Sequence, residues 1–157
     1  MESKGVSRRH EVPDETVIHA LLGHRFPGGN IAVEHWENFL LTDCTGADLL
    51  PAGRVHPVVL FHLPIRGAGT SIAEMFALGQ AESDLSIMIE SYDWEFFAPL
   101  REETEYRVEA GITSAQRLSN ENAQVYDRIQ FLFEVFAPDG APAARSTITW
   151  HYTRNML

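Results

Sequence analysis

The 157-residue sequence is poor in cysteine, in basic residues and in long apolar runs. Its single cysteine, Cys44, excludes an internal disulfide, and without a Cys/His cluster it argues against a structural zinc site. We therefore expect a protein of a reducing compartment. Twelve Lys and Arg against 22 Asp and Glu leave a formal net charge of −10. This charge argues against nucleic acid as a partner, because phosphate binding needs a basic surface.

Membrane association is equally disfavoured by the sequence. No stretch approaches the roughly 20 apolar residues that a membrane-spanning helix needs, and the acidic balance opposes binding to an anionic membrane face. The first segment, MESKGVSRRHEVPDE, is polar and lacks the apolar centre of a signal peptide. We expect a cytoplasmic protein with a flexible N-terminal arm over residues 1–15 and a single domain over residues 16–157, long enough to bury one core.

Two stretches in the first half have helical periodicity. Residues 31–44 place Val33, Trp36, Phe39 and Leu40 on one stripe, which predicts a helix with that stripe facing the core. A second helix is predicted over residues 70–82, where a Ser-x-x-Glu pattern forms a capping box. This second helix is apolar enough to be wrapped by a sheet. The segment between the two reads as a loop with extended pieces.

After Asp84 the apolar period changes to two. Residues 106–112 and 144–152 alternate apolar with polar side chains, which predicts half-buried strands, and residues 125–137 are more uniformly apolar and predict a more deeply buried strand. Helices followed by a run of strands indicate an α+β fold with an antiparallel sheet.

Three segments resemble a known family. The stretch WEFFAPLREETEYRV over residues 94–108 is similar to the F-x-x-P-(V/L)-x-x-G-(D/E)-T strand-turn-strand of MaoC-like dehydratases, with Glu102 or Glu103 where that family has its turn glycine. Residues 22–26 and 53–57 resemble the family's opening and the entrance of its ligand tunnel. This resemblance to the MaoC-like and FAS1-like dehydratases implies a hotdog fold, a curved antiparallel sheet wrapped around a central helix.

The resemblance also implies a chemistry that needs no cofactor and no metal. MaoC-like enzymes add water to a 2-enoyl-CoA or eliminate it from a 3-hydroxyacyl-CoA, which requires a base, an acid and donors to the thioester oxygen. Active members carry D-x-N-P-x-H. The matching stretch here keeps Asp48 and Pro51 but has Leu50 for the asparagine and Gly53 for the histidine. Half of the family's acid–base pair is therefore missing from its usual place.

Three interpretations remain open. In the first, the chain is the non-catalytic half of a heteromeric hydratase, and a second MaoC-like subunit supplies the acid and base. In the second, His56 replaces the missing histidine from a shifted position opposite Asp48. In the third, the fold serves thioester hydrolysis, isomerisation, or acyl-ligand or partner binding without catalysis. In each we expect a homodimer or heteromer, because a small sheet leaves unpaired edges.

The segment His62–Thr70 supplies the candidate substrate-binding residues. Arg66 offers a planar cation for a CoA phosphate, and His62 would line the same tunnel. The N–H groups of Ala68, Gly69 and Thr70, expected to be free just before a helix, would polarise the thioester carbonyl. The competing interpretation is a tight packing bend at Gly67–Gly69, with Asp48 as a turn residue and His56 as an ordinary loop histidine.

Overall fold

The computed structural model describes residues 12–154, which form one curved antiparallel sheet with short helices packed on its concave side. The sheet has five strands in the order β1-β3-β4-β5-β2. The elements are α1 (Glu15–His19), β1 (Gly29–Ile31), α2 (His35–Asp43), α3 (Leu63–Gly67), α4 (Ile72–Leu78), β2 (Ile87–Phe96), β3 (Tyr106–Ser119), β4 (Val125–Phe136) and β5 (Pro142–Thr153), with 3₁₀ turns at Pro57–Phe61 and Asp84–Ser86. The α+β antiparallel fold predicted from the sequence is confirmed.

The strands bury alternate side chains, as a period of two requires. In the central ladder Phe131 of β4 lies opposite Ile112 of β3 and Ile148 of β5, and all three side chains are buried. The strand predicted to be uniformly buried, β4, alternates as well. Its outward side chains, Arg128 and Glu134 among them, are only half-buried. The core therefore lies on one side of the sheet, against the helices.

The helix enclosed by the sheet is α3, which the sequence analysis missed. Four of its five residues are buried, and it packs against β1, β3 and β4. Gly67 permits this approach, because a β-carbon there would lie 2.6 Å from the Val108 Cγ2 atom. A proline in the first turn, Pro64, was the available signal for a helix start.

The helix predicted over residues 70–82 is shorter and less central than expected. Helix α4 ends at Leu78, and of its residues Met75 alone is buried. Its C-cap residue, Gly79, lies against the ring of Tyr152, whose hydroxyl donates to the Met75 carbonyl oxygen at 2.7 Å. The prediction that this helix is the wrapped one is therefore wrong, and α3 holds that position.

Helix α2 exists, but its predicted orientation is wrong. Its buried side chains are polar, Asn38 and Thr42, whereas Trp36, Phe39 and Leu40 are 59%, 49% and 52% exposed. Tertiary hydrogen bonds explain this choice. Asn38 donates to the Glu102 Oε1 atom at 2.6 Å and accepts from the His56 backbone N–H at 3.0 Å.

The first 11 residues of the expected N-terminal arm, together with residues 155–157, lie outside the described part of the chain. The arm's last residues are tied to the domain. The Pro13 carbonyl oxygen accepts from the Arg117 Nη2 atom at 2.8 Å, and Asp14 caps α1 by accepting the Thr16 N–H. Glu15 already belongs to α1. No helix within residues 12–154 is long and apolar enough to cross a membrane.

Candidate functional site

A cavity of about 500 Å³ lies between α2, α3 and the start of α4. It brings together three of the predicted substrate-binding residues, His62, Arg66 and Thr70. The rest of its wall is mainly apolar, with one carboxylate and one hydroxyl: Trp36, Leu40, Leu41, Ile65, Ile72, Glu37 and Ser71. An apolar hollow with a few polar groups at its wall is the usual form of a small-molecule site.

Arg66 reaches this cavity as one half of an ion pair. Its Nη2 atom lies 2.8 Å from the Glu37 Oε1 atom, and the Arg66 side chain is 57% exposed against 14% for Glu37. The guanidinium is therefore not a free anion site, and a phosphate group would compete with the Glu37 carboxylate for it. Arg66 nevertheless stands at the solvent side of the cavity, where a charged part of a ligand would lie.

The three backbone donors predicted at residues 68–70 are all bonded within the chain. The N–H groups of Ala68, Gly69 and Thr70 donate to the carbonyl oxygens of residues 64, 66 and 65, at 2.9, 3.2 and 3.4 Å. The prediction that they are free is wrong for this conformation. Residues 68–70 link α3 to Ser71, the cap residue of α4, and their N–H groups point back to carbonyl oxygens of α3.

The His56 side chain makes a hydrogen bond to the backbone two residues further along the chain. His56 precedes the 3₁₀ turn and its Nδ1 atom accepts the Val58 N–H at 3.1 Å. An imidazole that accepts at Nδ1 carries its proton on Nε2 when neutral. In this arrangement the remaining nitrogen of His56 is a donor and cannot remove a proton from water or substrate.

Asp48 and His56 are not joined by a hydrogen bond or an ion pair. Asp48 is exposed in the loop after α2, and it lines a hollow of about 260 Å³ with Phe39, Asp43 and Leu49 of the same region. His56 is not part of that hollow, and no hydrogen bond joins the two residues. The structure therefore does not assemble the Asp48–His56 pair that the sequence suggested.

Gly53, at the position of the family's histidine, adopts a left-handed backbone with φ of +63°. Its carbonyl oxygen accepts the Glu102 N–H at 2.9 Å. A β-carbon built on Gly53 would lie 3.8 Å from the Glu102 Oε2 atom. The space beside this glycine is therefore faced by a carboxylate.

That carboxylate belongs to a polar cluster that the sequence analysis missed. Glu102 accepts from the Asn38 amide at 2.6 Å and pairs with the His35 Nδ1 atom at 3.0 Å. These two hydrogen bonds, that from Asn38 first, hold the pKa of the Glu102 carboxyl below its usual value. The available signal was the pair Glu102 and Glu103, one of which stands where the MaoC-like pattern has a turn glycine.

Comparison with known proteins gives a clear answer for the fold alone. No protein-family model matches the sequence, and no curated protein matches it. Among solved structures, the chain resembles the ChsH1–ChsH2 complex from Mycobacterium tuberculosis, with a TM-score of 0.62 at 8% identity over 90% of this chain and 94% of the other.

Two further structures are similar. The C-terminally truncated HadBC (3R)-hydroxyacyl-ACP dehydratase complex from Mycobacterium tuberculosis has a TM-score of 0.61 at 12% identity, covering 82% of this chain and 93% of the other. A Thermus thermophilus thioesterase complexed with coenzyme A and zinc has a TM-score of 0.52 at 14% identity, covering 83% and 86%. These are hotdog-fold proteins, and together with the five-stranded antiparallel sheet they define this chain as a hotdog-fold protein.

Proposed function

We propose that this chain binds acyl thioesters in the cavity between α2 and α3 and acts as the non-catalytic half of a heteromeric hydratase. One observation carries the proposal. Gly53 occupies the position of the histidine in the D-x-N-P-x-H motif, and glycine has no side chain that could give or take a proton there.

The chemistry of hydration supports this assignment. Addition of water across a 2-enoyl thioester needs a base for the water and an acid for the α-carbon, both at the reacting atoms. No hydrogen bond joins Asp48 to His56, and the Nδ1 atom of His56 accepts the Val58 N–H. A second MaoC-like subunit would supply the acid and base. HadBC and ChsH1–ChsH2 are themselves two-component complexes by name.

The cavity suits the acyl part of such a ligand. Its volume of about 500 Å³ falls in the usual range for small-molecule sites, roughly 300–1,000 Å³. Apolar side chains of α2, α3 and α4 would enclose the acyl chain, and His62 and Thr70 would supply hydrogen bonds. Arg66 would hold a CoA phosphate at the mouth after leaving Glu37.

The edge strand β2 is the proposed subunit contact, in a homodimer or a heteromer. Within residues 12–154 its outer edge has no strand partner, and four large apolar side chains along the strand are exposed: Met88, Ile89, Trp94 and Phe96. Unpaired strand edges of this length invite pairing with another strand. The proposed location of the assembly is the cytoplasm, on the evidence of the single cysteine.

Calorimetry and kinetics together test the proposal. Crotonyl-CoA and a longer 2-enoyl-CoA are titrated into the full chain, and hydration and CoA release are followed in parallel. We expect binding without hydration and without CoA release. Absence of binding would refute the thioester ligand. Hydration by the pure chain would refute the non-catalytic assignment, and its loss in His56→Ala would favour the shifted pair with Asp48.

A further inference from the structure

Helix α2 carries its apolar side chains outward. Trp36, Phe39 and Leu40 project from the helix into solvent, and Leu49 in the loop that follows is 38% exposed. We refer to these four residues as the α2 face. A surface helix normally buries its apolar stripe and exposes its polar one. An exposed apolar cluster on a soluble domain usually marks an interaction site.

The proposed acyl ligand accounts for only half of this face. Trp36 and Leu40 line the cavity between α2 and α3. Phe39 and Leu49 lie outside it, in the hollow that also contains Asp43 and Asp48. A ligand in the cavity would leave that second half in water, so the α2 face needs another occupant.

The charge around the α2 face is of one sign. Glu34, Asp43 and Asp48 stand beside the apolar residues, and within residues 12–154 none of the three forms an ion pair with a basic side chain. Arg66, the arginine at the cavity, is neutralised by Glu37. A second copy of this chain, related by a twofold axis, would set the same carboxylates against each other at a cost in free energy. The acidic residues around the α2 face therefore favour a partner with basic side chains.

We propose that the α2 face docks a different protein, through a cationic amphipathic helix that sets apolar side chains on Phe39 and Leu49 and Lys or Arg side chains on Asp43 and Asp48. Helix-in-groove recognition supplies the physical basis. The apolar side of the partner helix fills the hollow beside Phe39 and Leu49, and its basic residues meet Asp43 and Asp48. This inference does not rest on the acyl ligand, because Phe39 and Leu49 lie outside the cavity.

Peptide binding to the full chain tests the proposal. The probe is a Leu/Lys amphipathic helix of about 18 residues, which is about 27 Å long. Two controls have the same length: a Leu/Glu helix with the same apolar stripe, and a Leu/Lys peptide whose order destroys the stripe. We expect the Leu/Lys helix to bind about tenfold more tightly than either control, or better. Equal affinity for the Leu/Glu helix, or for the Leu/Lys peptide that lacks the apolar stripe, would overturn the proposal.

Variants place the contact on the molecule. Phe39→Ala and Leu49→Ala should each weaken Leu/Lys binding about threefold to tenfold. The matched control is Leu85→Ala, which removes an 82% exposed leucine far along the chain and should leave binding unchanged. The double variant Asp43→Asn, Asp48→Asn should bind the Leu/Lys helix with a smaller preference over the Leu/Glu helix. The control Asp139→Asn should leave that preference unchanged.

The competing occupant of the α2 face is a second copy of this chain, and the molecular mass in solution tests for it. Because Phe39 is half exposed, Phe39→Asp should leave the fold intact, which circular dichroism checks. We expect its mass by light scattering to equal that of the unmodified chain. A lower mass for Phe39→Asp would assign the α2 face to self-association and overturn the proposal, as would an equal loss of peptide binding in Leu85→Ala.

Discussion

Gly53 and Glu102 lie directly against each other. The carbonyl oxygen of Gly53 accepts the Glu102 N–H at 2.9 Å, and a β-carbon on Gly53 would point to the Glu102 carboxylate at 3.8 Å. Gly53 stands at the histidine position of the motif that the sequence resembles, and Glu102 is one of the two residues, with Glu103, at the position of its turn glycine. Gly53 and Glu102 are thus adjacent in space although they are 49 positions apart in the sequence.

The left-handed backbone of Gly53 predicts a specific stability cost. Gly53→Ala places a β-carbon at φ of +63° and should lower the free energy of unfolding by about 1 kcal/mol. The neighbouring Ala52 has φ of +60° and already bears that strain, so Ala52→Gly is the matched control and should leave stability unchanged or raise it. Urea denaturation measures both. Equal effects of the two changes would contradict the strained backbone.

The ion pair at the cavity mouth predicts opposite effects on CoA binding. Arg66→Ala should weaken the binding of an enoyl-CoA by about tenfold to a hundredfold, because a charged hydrogen bond to phosphate is lost. Glu37→Gln should tighten binding, because it removes the carboxylate that competes for Arg66 at 2.8 Å. Calorimetry measures both dissociation constants. If neither constant changes, the CoA phosphates lie elsewhere and Arg66 serves only to join α3 to α2.

The lowered pKa of the Glu90 carboxyl predicts that the protein loses stability at acid pH. Hydrogen bonds from Arg128, and next from His151, lower this pKa from 4.5 to about 2. A lowered folded-state pKa means that the carboxylate stabilises the fold above pH 4.5 and that this contribution disappears as the pH falls towards about 2. The difference in unfolding free energy between the unmodified chain and Glu90→Gln should therefore shrink over that interval.

Salt provides the control for the Glu90 prediction. The Glu90 side chain is 36% exposed, so solvent screens its ion pair with Arg128. The total effect of the pair on the free energy of unfolding should therefore be small. High salt should reduce the difference further at pH 6. A difference that stays constant from pH 6 to pH 2 would show that Glu90→Gln acts through packing in β2 and not through charge.

The unpaired edge of β2 predicts a multimeric protein. Light scattering at micromolar concentration should give a mass above that of one chain, because the exposed edge and its apolar side chains pair with a second subunit. Ile89→Lys places a charge on that edge and should lower the mass. Leu85→Lys adds the same charge at an exposed leucine before the strand and should not. A monomeric mass for the unmodified chain would refute the prediction.

The sheet could be predicted from the sequence because strand periodicity is local. Alternating apolar residues over 106–112 and 144–152 are sufficient to place their side chains on one face, and the ladders of β3, β4 and β5 agree with them. The same holds for the start of α4, where Ser71 accepts the Glu74 N–H at 3.2 Å, as its capping box predicted. Such features depend on residues within one or two turns of each other.

The candidate site depended on contacts that no local pattern contains. The periodicity of α2 located a helix, but three partners distant in sequence decided which side faces inward, because the buried Asn38 amide bonds Arg54, His56 and Glu102. The N–H groups of residues 68–70 looked free because the short helix before them, α3, was not recognised.

The sequence by itself thus determined strands β3, β4 and β5, the antiparallel sheet and the glycine at position 53, where the motif that it resembles has histidine. Tertiary structure decided that Arg66 pairs with Glu37, that His56 accepts the Val58 N–H, and that the apolar side of α2 faces solvent. The physical reason is that backbone periodicity is set by neighbours along the chain, whereas burial of polar groups is set by hydrogen-bond partners that only folding brings together.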